Sequence, residues 1–324
     1  SGFSHYAVPA VAATCLLAGC ATELAWRVVR TAPGIWRRVL VGSLAVCAAG
    51  TLGGFAADLD HAVGNSDYPM AGFEAEAAIG RGAALVTPDG EAILTLANSV
   101  LYHWADRRPA SRFFHYPSFL PASSLAAESE AALLDALNSP VTGAVLVSRL
   151  HLEDRIPANV VGALWNLWTP VAIFPYAYQR DVVLLLPGHE SPTEPETAEF
   201  EGGIQLTAFG IELLSPTTLL VRLDWRAATR PQYDYIVFTH VLDPQGSLTA
   251  QNDGFPVVGF RPMTSWAEGE PIADYHWLEL PADRPVGEYE VRVGLYRADT
   301  GERLLAQGKG AETDHVVKQV RFEP

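Results

Sequence analysis

The stretch best equipped for chemistry is Asp106-Arg107-Arg108-Pro109-Ala110-Ser111-Arg112-Phe113-Phe114-His115-Tyr116. Three guanidinium groups among aromatic rings, directly after a helix-like segment, offer fork-shaped donors to an anionic or sugar ligand and flat faces for stacking. Arg107, Arg108, Arg112 and Tyr116 are its candidate ligand-binding residues. The same residues also suit an architectural role, because cations beyond a helix end satisfy its last carbonyls and the aromatics fit a partly buried strand. A second set, His240, Asp243, Asp253, Asp274 and His276, carries metal-ligating side chains. Its spacing matches no calcium or zinc loop, and Asp243 and Asp253 stand in turn-like sequence where Asp bonds backbone amides, so neither metal nor cofactor is expected. Gly80-Arg81-Gly82 is only a GxG, follows a helix instead of a strand, and reads as a loop. The sequence contains no GxSxG, HExxH or P-loop motif.

The elements that must position these residues fall into distinct zones. Over 61–190, short apolar runs alternate with helix-like stretches. Phe73–Gly80, Ser99–Asp106, Ser124–Leu137 and Pro157–Trp168 have helical spacing, while Ala92–Ala97, Gly143–Ser148 and Val182–Leu186 read as strands. Strands separated by helices predict a small α/β domain with a largely parallel sheet. After a linker over 191–202 the period changes to two. Leu219, Val221, Leu223 and Trp225 share one strand face, and Tyr289, Val291, Val293 and Leu295 share another,. Further strands are predicted at Ile204–Leu213, Tyr235–Leu242, Trp277–Leu280 and Val316–Phe322, with turns at Asp243-Pro244-Gln245-Gly246 and Asp299-Thr300-Gly301,. Some seven strands without a helix signal over 203–324 predict an antiparallel β-sandwich,. Tryptophans such as Trp266 suit either sugar stacking or burial in the sandwich.

Charge and hydropathy set the N-terminal residues apart. The chain has 324 residues, 49% hydrophobic and only 18% charged. Residues 7–25 and 39–57 form apolar segments of 19 residues each, enough at ~1.5 Å per residue to cross a ~30 Å hydrocarbon core. Between them, Arg27, Arg30, Arg37 and Arg38 mark a loop on the cytoplasmic side, with Trp26 and Trp36 at its edges,. Residues 1–60 are therefore expected to form two transmembrane helices joined by a cytoplasmic loop. The α/β and sandwich domains would lie on the outer side of a bacterial plasma membrane, with the lipid bilayer as a partner. Beyond residue 57 the chain holds 18 basic against 36 acidic residues, a balance that repels phosphate backbones and excludes nucleic acid as a partner,. Cys15, Cys20 and Cys47 all precede that acidic part, which rules out a disulfide framework there,.

Three blocks resemble a known family. Ser4-His5-Tyr6-Ala7-Val8-Pro9-Ala10 is similar to an RY-x-x-P-x-x-P start of a late transmembrane helix, and Asp106–Arg112 to an R-x-P-x-x-R stretch in a soluble α/β domain. The third block, from DYIVFTHVLDPQGS through RPMTSWAEGEPIADYHWLELP to GEYEVRVGLYRADTGERL, is similar to an appended sandwich. Together they resemble the C-terminal part of a bacterial GT-C membrane glycosyltransferase related to protein mannosyltransferases (glycosyltransferase family 39-like). The resemblance implies sugar transfer from a polyprenyl-phosphate donor to an extracytoplasmic acceptor, with His5 and Tyr6 as further ligand-binding candidates. In that family the catalytic acid lies in an early loop that has no counterpart in this sequence, so no catalytic residue is named. The competing expectation is a non-catalytic module that binds a glycan or a protein.

Overall fold

The computed structural model describes residues 69–113, 124–176, 181–188 and 193–322. The chain divides into two compact units, Ser1–Met70 and Ala71–Pro324, and the second holds all three β-sheets of the described residues.

The first part of this second unit is an α/β layer. Helix α1 (Pro69–Val86) leads to β1 (Ala92–Leu96), then α2 (Leu101–Ala105), the short β2 (Arg108–Pro109), α3 (Ala126–Leu137), β3 (Thr142–Ser148), α4 (Arg149–Asp154), α5 (Ala158–Leu167), β4 (Trp168–Phe174) and β5 (Val182–Pro187). The sheet order is β2-β1-β3-β5-β4. Strands β1, β2 and β3 are parallel, as helical crossovers require,. The pairs β3–β5 and β5–β4 are antiparallel. The expected largely parallel sheet is therefore corrected to a mixed one, because β4 and β5 return on each other without a crossover helix. Alternate residues serve both faces, so the strands are apolar throughout. Leu94, Leu96, Val145 and Val147 pack under α3 and α5, while Ile93, Ala144 and Leu146 pack against α1 and α2.

The second part is a sandwich of two five-stranded antiparallel sheets. It comprises β6 (Thr193–Phe200), β7 (Ile204–Ser215), β8 (Thr218–Ala227), β9 (Tyr235–Leu242), β10 (Leu248–Gly254), β11 (Ile272–Glu279), β12 (Gly287–Arg297), β13 (Ala306–Gly308), β14 (Ala311–Glu312) and β15 (His315–Phe322). One sheet runs β11-β8-β7-β6-β13 and the other β10-β9-β12-β15-β14. The stretch read as a linker over 191–202 supplies β6, which pairs with β7. Between the sheets, Leu219, Val221, Leu223 and Trp225 of β8 meet Tyr289, Val291, Val293 and Leu295 of β12, and all eight are sealed from solvent. Trp266 is fully buried in this core, its indole donating to the Arg261 carbonyl at 3.0 Å, so it is not a stacking platform for sugars.

The outer face of the β11-β8 sheet is not left to water. Leu220 of β8 and Tyr275 of β11 belong to the same apolar cluster as Ile79 of α1, Leu101 of α2 and Leu184 of β5. The sandwich thus shares with α1 and α2 the covering of one face of the α/β sheet, giving successive layers that share apolar contacts,.

The membrane expectation is corrected by this architecture. Five α-helices and three β-sheets make up the described residues, and no helix among them is long and apolar enough to cross a membrane. Even the longest, α1, carries Glu74, Glu76 and Arg81 along its length. Two transmembrane helices therefore form no part of the observed fold, and integral placement in a bacterial plasma membrane is not supported by it. The apolar segments 7–25 and 39–57, like His5 and Tyr6, lie outside the described residues.

Candidate functional site

The arginine segment is absorbed by architecture. Arg107 donates to the Thr87 carbonyl at 2.8 Å and the Ala84 carbonyl at 3.3 Å, and pairs with Asp89 at 3.1 Å. It caps the C-terminal end of α1, where carbonyls lack helical partners. Arg108 donates to the Gly90 carbonyl at 3.0 Å. Arg112 pairs with Glu128 near the start of α3 and lies 4.9 Å from the ring centre of Phe113. The three cations face different places and do not converge on one ligand. Tyr116 lies outside the described residues.

The five histidines and aspartates considered for metal separate equally clearly. The Asp243 carboxylate accepts the backbone N–H groups of Gln245 and Ser247 at 2.9 and 2.8 Å, as a turn residue does,. His240 and Asp253 sit on the outward face of β9 and β10, 3.2 Å apart. Asp274 and His276 point into the sandwich from β11, 3.0 Å apart. No group of three or more such side chains converges among the described residues.

Where the two parts of the unit meet, a cleft of about 1070 Å³ opens. Its walls come from α1, β4, the turn between β7 and β8, the end of β10 and β11. Residues of β11 alternate between two environments because side chains in a strand point to opposite faces. Ile272 and Leu278 enter the sandwich core, whereas Tyr275 and Trp277 face the α/β layer. Trp277 meets Phe174 of β4 edge-on with ring centres 5.8 Å apart. The Trp277 indole donates to Glu279 Oε1 at 2.6 Å, and Thr218 donates to Glu279 Oε2 at 3.3 Å. The half-buried indole and a fixed carboxylate thus stand side by side on the cleft wall. Burial raises the Tyr275 hydroxyl to a pKa of about 12, with Arg222 opposing the shift, so it stays a neutral phenol,.

A buried polar chain holds the opposite edge. Asp274 and His276 are 1% and 3% exposed. Asp274 Oδ2 faces His276 Nε2 at 3.0 Å, and Asp274 Oδ1 accepts the Val257 N–H at 2.7 Å. Asn252 of β10 donates to the Trp277 carbonyl at 3.0 Å, which turns its own oxygen toward His276 Nδ1 at 3.1 Å. Both ring nitrogens therefore meet acceptors, and the network ties the edge strand of one sheet to the edge strand of the other.

The backbone that Asp274 grips is strained. Val257, Val258 and Gly259 all have positive φ, at 55°, 46° and 87°. Two β-branched residues in the left-handed region are costly, and such conformations persist only where surroundings enforce them. Val257 is held from below by Asp274, and Phe260 packs on Trp165 of α5 with ring centres 4.7 Å apart. The turn presents Phe255, 39% exposed, together with Val258 and Gly259 to the cleft.

Sequence reasoning passes over Phe174, Asn252, Phe255 and Trp277. A signal for Trp277 is present: in Tyr-His-Trp the large aromatics occupy the strand positions that a free-standing sandwich would give to water. The loop expected at Gly80-Arg81-Gly82 is also corrected, for these residues lie inside α1. A Cβ on Gly80 would sit 2.3 Å from Trp104 Cβ, and one on Gly82 would sit 2.8 Å from the Phe174 ring. These glycines permit close packing of the helix.

No family model and no curated protein matches the chain. Among solved structures, the C-terminal domain of wzt is 14% identical with a TM-score of 0.27, the match covering 42% of this chain and 84% of that one. A glycosyl hydrolase family 2 member from Bacteroides cellulosilyticus DSM 14838 is 14% identical with a TM-score of 0.24, over 39% of this chain and 16% of the other. A Bacteroides uniformis beta-glucuronidase is 15% identical with a TM-score of 0.26, over 44% and 15%. The chain thus spans about a sixth of the length of these glycosidases.

Proposed function

We propose that this chain is the glycan-recognising portion of a sugar-transferring protein, and that an oligosaccharide acceptor lies in the cleft beside β11. One observation carries the reading: a cleft of about 1070 Å³ that combines the rings of Trp277, Phe174 and Phe255 with the hydrogen-bonding groups of Asn252, Asp253 and Glu279. Sugars present apolar C–H faces and a rim of hydroxyls, so they need flat rings beside fixed donors and acceptors. Transfer chemistry and a polyprenyl-phosphate donor would be handled by residues other than those described, and none of the described side chains is assigned a catalytic role. A module that binds the glycan without any transfer uses the same cleft and the same side chains.

The test is isothermal titration of the purified chain against a panel of neutral and acidic oligosaccharides, repeated with Trp277→Ala. Binding in the micromolar to millimolar range that weakens by roughly tenfold in the variant is expected, the loss of one stacking face and the Glu279 anchor. A panel without any binder removes the proposal.

A further inference from the structure

The cleft is electrically lopsided in a way that its aromatic lining does not explain. The sandwich side carries Asp253 and Glu279, and the α/β side carries Arg81 and Arg149. The acids are engaged: Glu279 by Trp277 and Thr218, and Asp253 by the Tyr296 hydroxyl at 3.4 Å and by His240. The cations are much less so. Among the described residues the Arg81 guanidinium, on a residue within α1, has neither a hydrogen-bond nor an ion-pair partner. Among the described residues Arg149 reaches one carboxylate, Asp181, at 3.9 Å, and its guanidinium lies 5.6 Å from the centre of the Phe260 ring. In a chain of net charge −15, two under-used guanidinium groups on one cleft wall are a specific arrangement.

The helix is also built to deliver one of them. Gly80 and Gly82 flank Arg81, and each marks a contact too close for a Cβ, on Trp104 and on the Phe174 ring respectively. Seating α1 so deeply against the cleft's aromatic wall is what sets Arg81 on its rim.

Resting on the proposed glycan reading, we infer that the cleft selects a sugar bearing an oxyanion, with the anionic group met by Arg81 and Arg149 and the neutral hydroxyls met by Asn252, Asp253 and Glu279. Guanidinium forks match carboxylate and phosphate oxygens geometrically, so a uronate and a sugar phosphate share the required chemistry. The orientation comes from charge, since an acid group placed against Asp253 and Glu279 would be repelled. The protein's overall negative field opposes any acidic ligand at long range, and the preference therefore arises only within about one Debye length, ~8 Å at physiological salt.

The test uses the intact chain and matched probes: oligogalacturonate against its carboxyl-reduced counterpart, and phosphorylated against dephosphorylated oligomannose. In the pair that binds, the acidic member is expected to bind at least about fivefold tighter, a preference that shrinks as salt is raised. Arg81→Gln with Arg149→Gln should bring the two members within about twofold while neutral binding persists. Equal affinity for both members, or a preference that survives the double substitution, overturns the inference and leaves the glycan reading standing. Absence of binding to all four probes overturns this inference, and the reading beneath it falls only if the wider neutral panel is also silent. Which pair responds separates the uronate from the phosphate.

Discussion

Strand β11 takes part in two regions that obey different rules. Toward the sandwich it contributes Ile272 and Leu278 to a core in which Trp225, Phe200, Phe209, Tyr289 and Phe322 are sealed by one another. Toward the α/β layer it contributes Tyr275 and Trp277 to a boundary that opens into the cleft, bordered by a strained turn and a buried carboxylate–imidazole–amide chain. The first region is held by apolar area, which is non-directional and tolerant of sequence detail. The second is held by a few directional bonds, each of which leaves a buried partner stranded when removed. Stability should therefore be concentrated in the first region and recognition in the second.

Two tryptophans put this contrast at its largest. Trp225 is fully buried with its ring centre 5.9 Å from that of Phe200. Trp225→Ala should cost about 3–5 kcal/mol in urea unfolding, the usual penalty for emptying an aromatic site in a close-packed core. Trp277→Ala should cost only about 1–2 kcal/mol, because the ring is part-buried, yet it should remove most glycan affinity. Similar losses of stability from both would break the division. Next in size comes Asp274→Ala, expected to destabilise by about 3 kcal/mol because it leaves His276 and the Val257 N–H buried without their acceptor. Loss of the Val257 anchor should also loosen the cleft wall, so ligand affinity falls together with the unfolding midpoint.

The same contrast explains what can be read from residues alone. Alternation in Leu219–Trp225 and Tyr289–Leu295 encodes a one-sided environment directly, and those strands are evident because each apolar residue faces one core. Strand β4 is not, since it continues from α5 without a turn residue and contains Pro170, a combination that local propensity reads as a helix end,. Strand β6 hides in Thr-Glu-Pro-Glu-Thr, which has linker composition and becomes a strand only by pairing with β7. The segment Asp106–Arg112 stands out through its residue types. Which carbonyls an arginine caps is a tertiary fact, and here Arg107 reaches the Ala105 carbonyl at the end of the helix it follows and also the Ala84 and Thr87 carbonyls at the end of α1. The cleft depends on Trp277 of one part meeting Phe174 of the other, a juxtaposition more than one hundred residues apart that no local spacing records.

Two helical glycines sharpen the comparison at a smaller scale. Gly80 of α1 borders the layer boundary and abuts Trp104, whereas a Cβ on Gly162 of α5 would meet nothing within 4 Å. Replacing either with Ala improves helix propensity by about 1 kcal/mol. At Gly162 nothing opposes that gain, so Gly162→Ala should raise stability by about 0.5–1 kcal/mol. At Gly80 the new methyl would press on Trp104 Cβ and on backbone atoms, which cannot swing aside, and overpacking costs about 1–3 kcal/mol. Gly80→Ala should therefore destabilise on balance and shift Arg81 on the cleft rim. Equal gains from both substitutions would show that α1 is not held tightly against α2.

The subtlest contrast lies between two histidine–aspartate pairs of nearly equal length. His276 has acceptors at both ring nitrogens inside the sandwich. His240 lies on the outer face of β9, and its Nε2, 3.2 Å from Asp253, is buried without a well-aimed hydrogen bond. Burial lowers the His240 pKa below its ordinary 6.5, and the pull of Asp253 in the other direction does not overcome it. Arg303 and Arg292 also face it and disfavour its charge. A base whose pKa is depressed on folding binds its proton more readily in the unfolded chain. Its contribution is therefore intact above pH 6.5, declines as pH falls from there toward the depressed value, and levels off below it,. Unfolding midpoints in urea at pH 7.5 and pH 5.5 should fall on acidification, and His240→Gln should reduce that fall while leaving the neutral midpoint nearly unchanged. A variant whose midpoints drop as steeply as those of the unaltered protein would assign the acid sensitivity to other groups and remove His240 from the account.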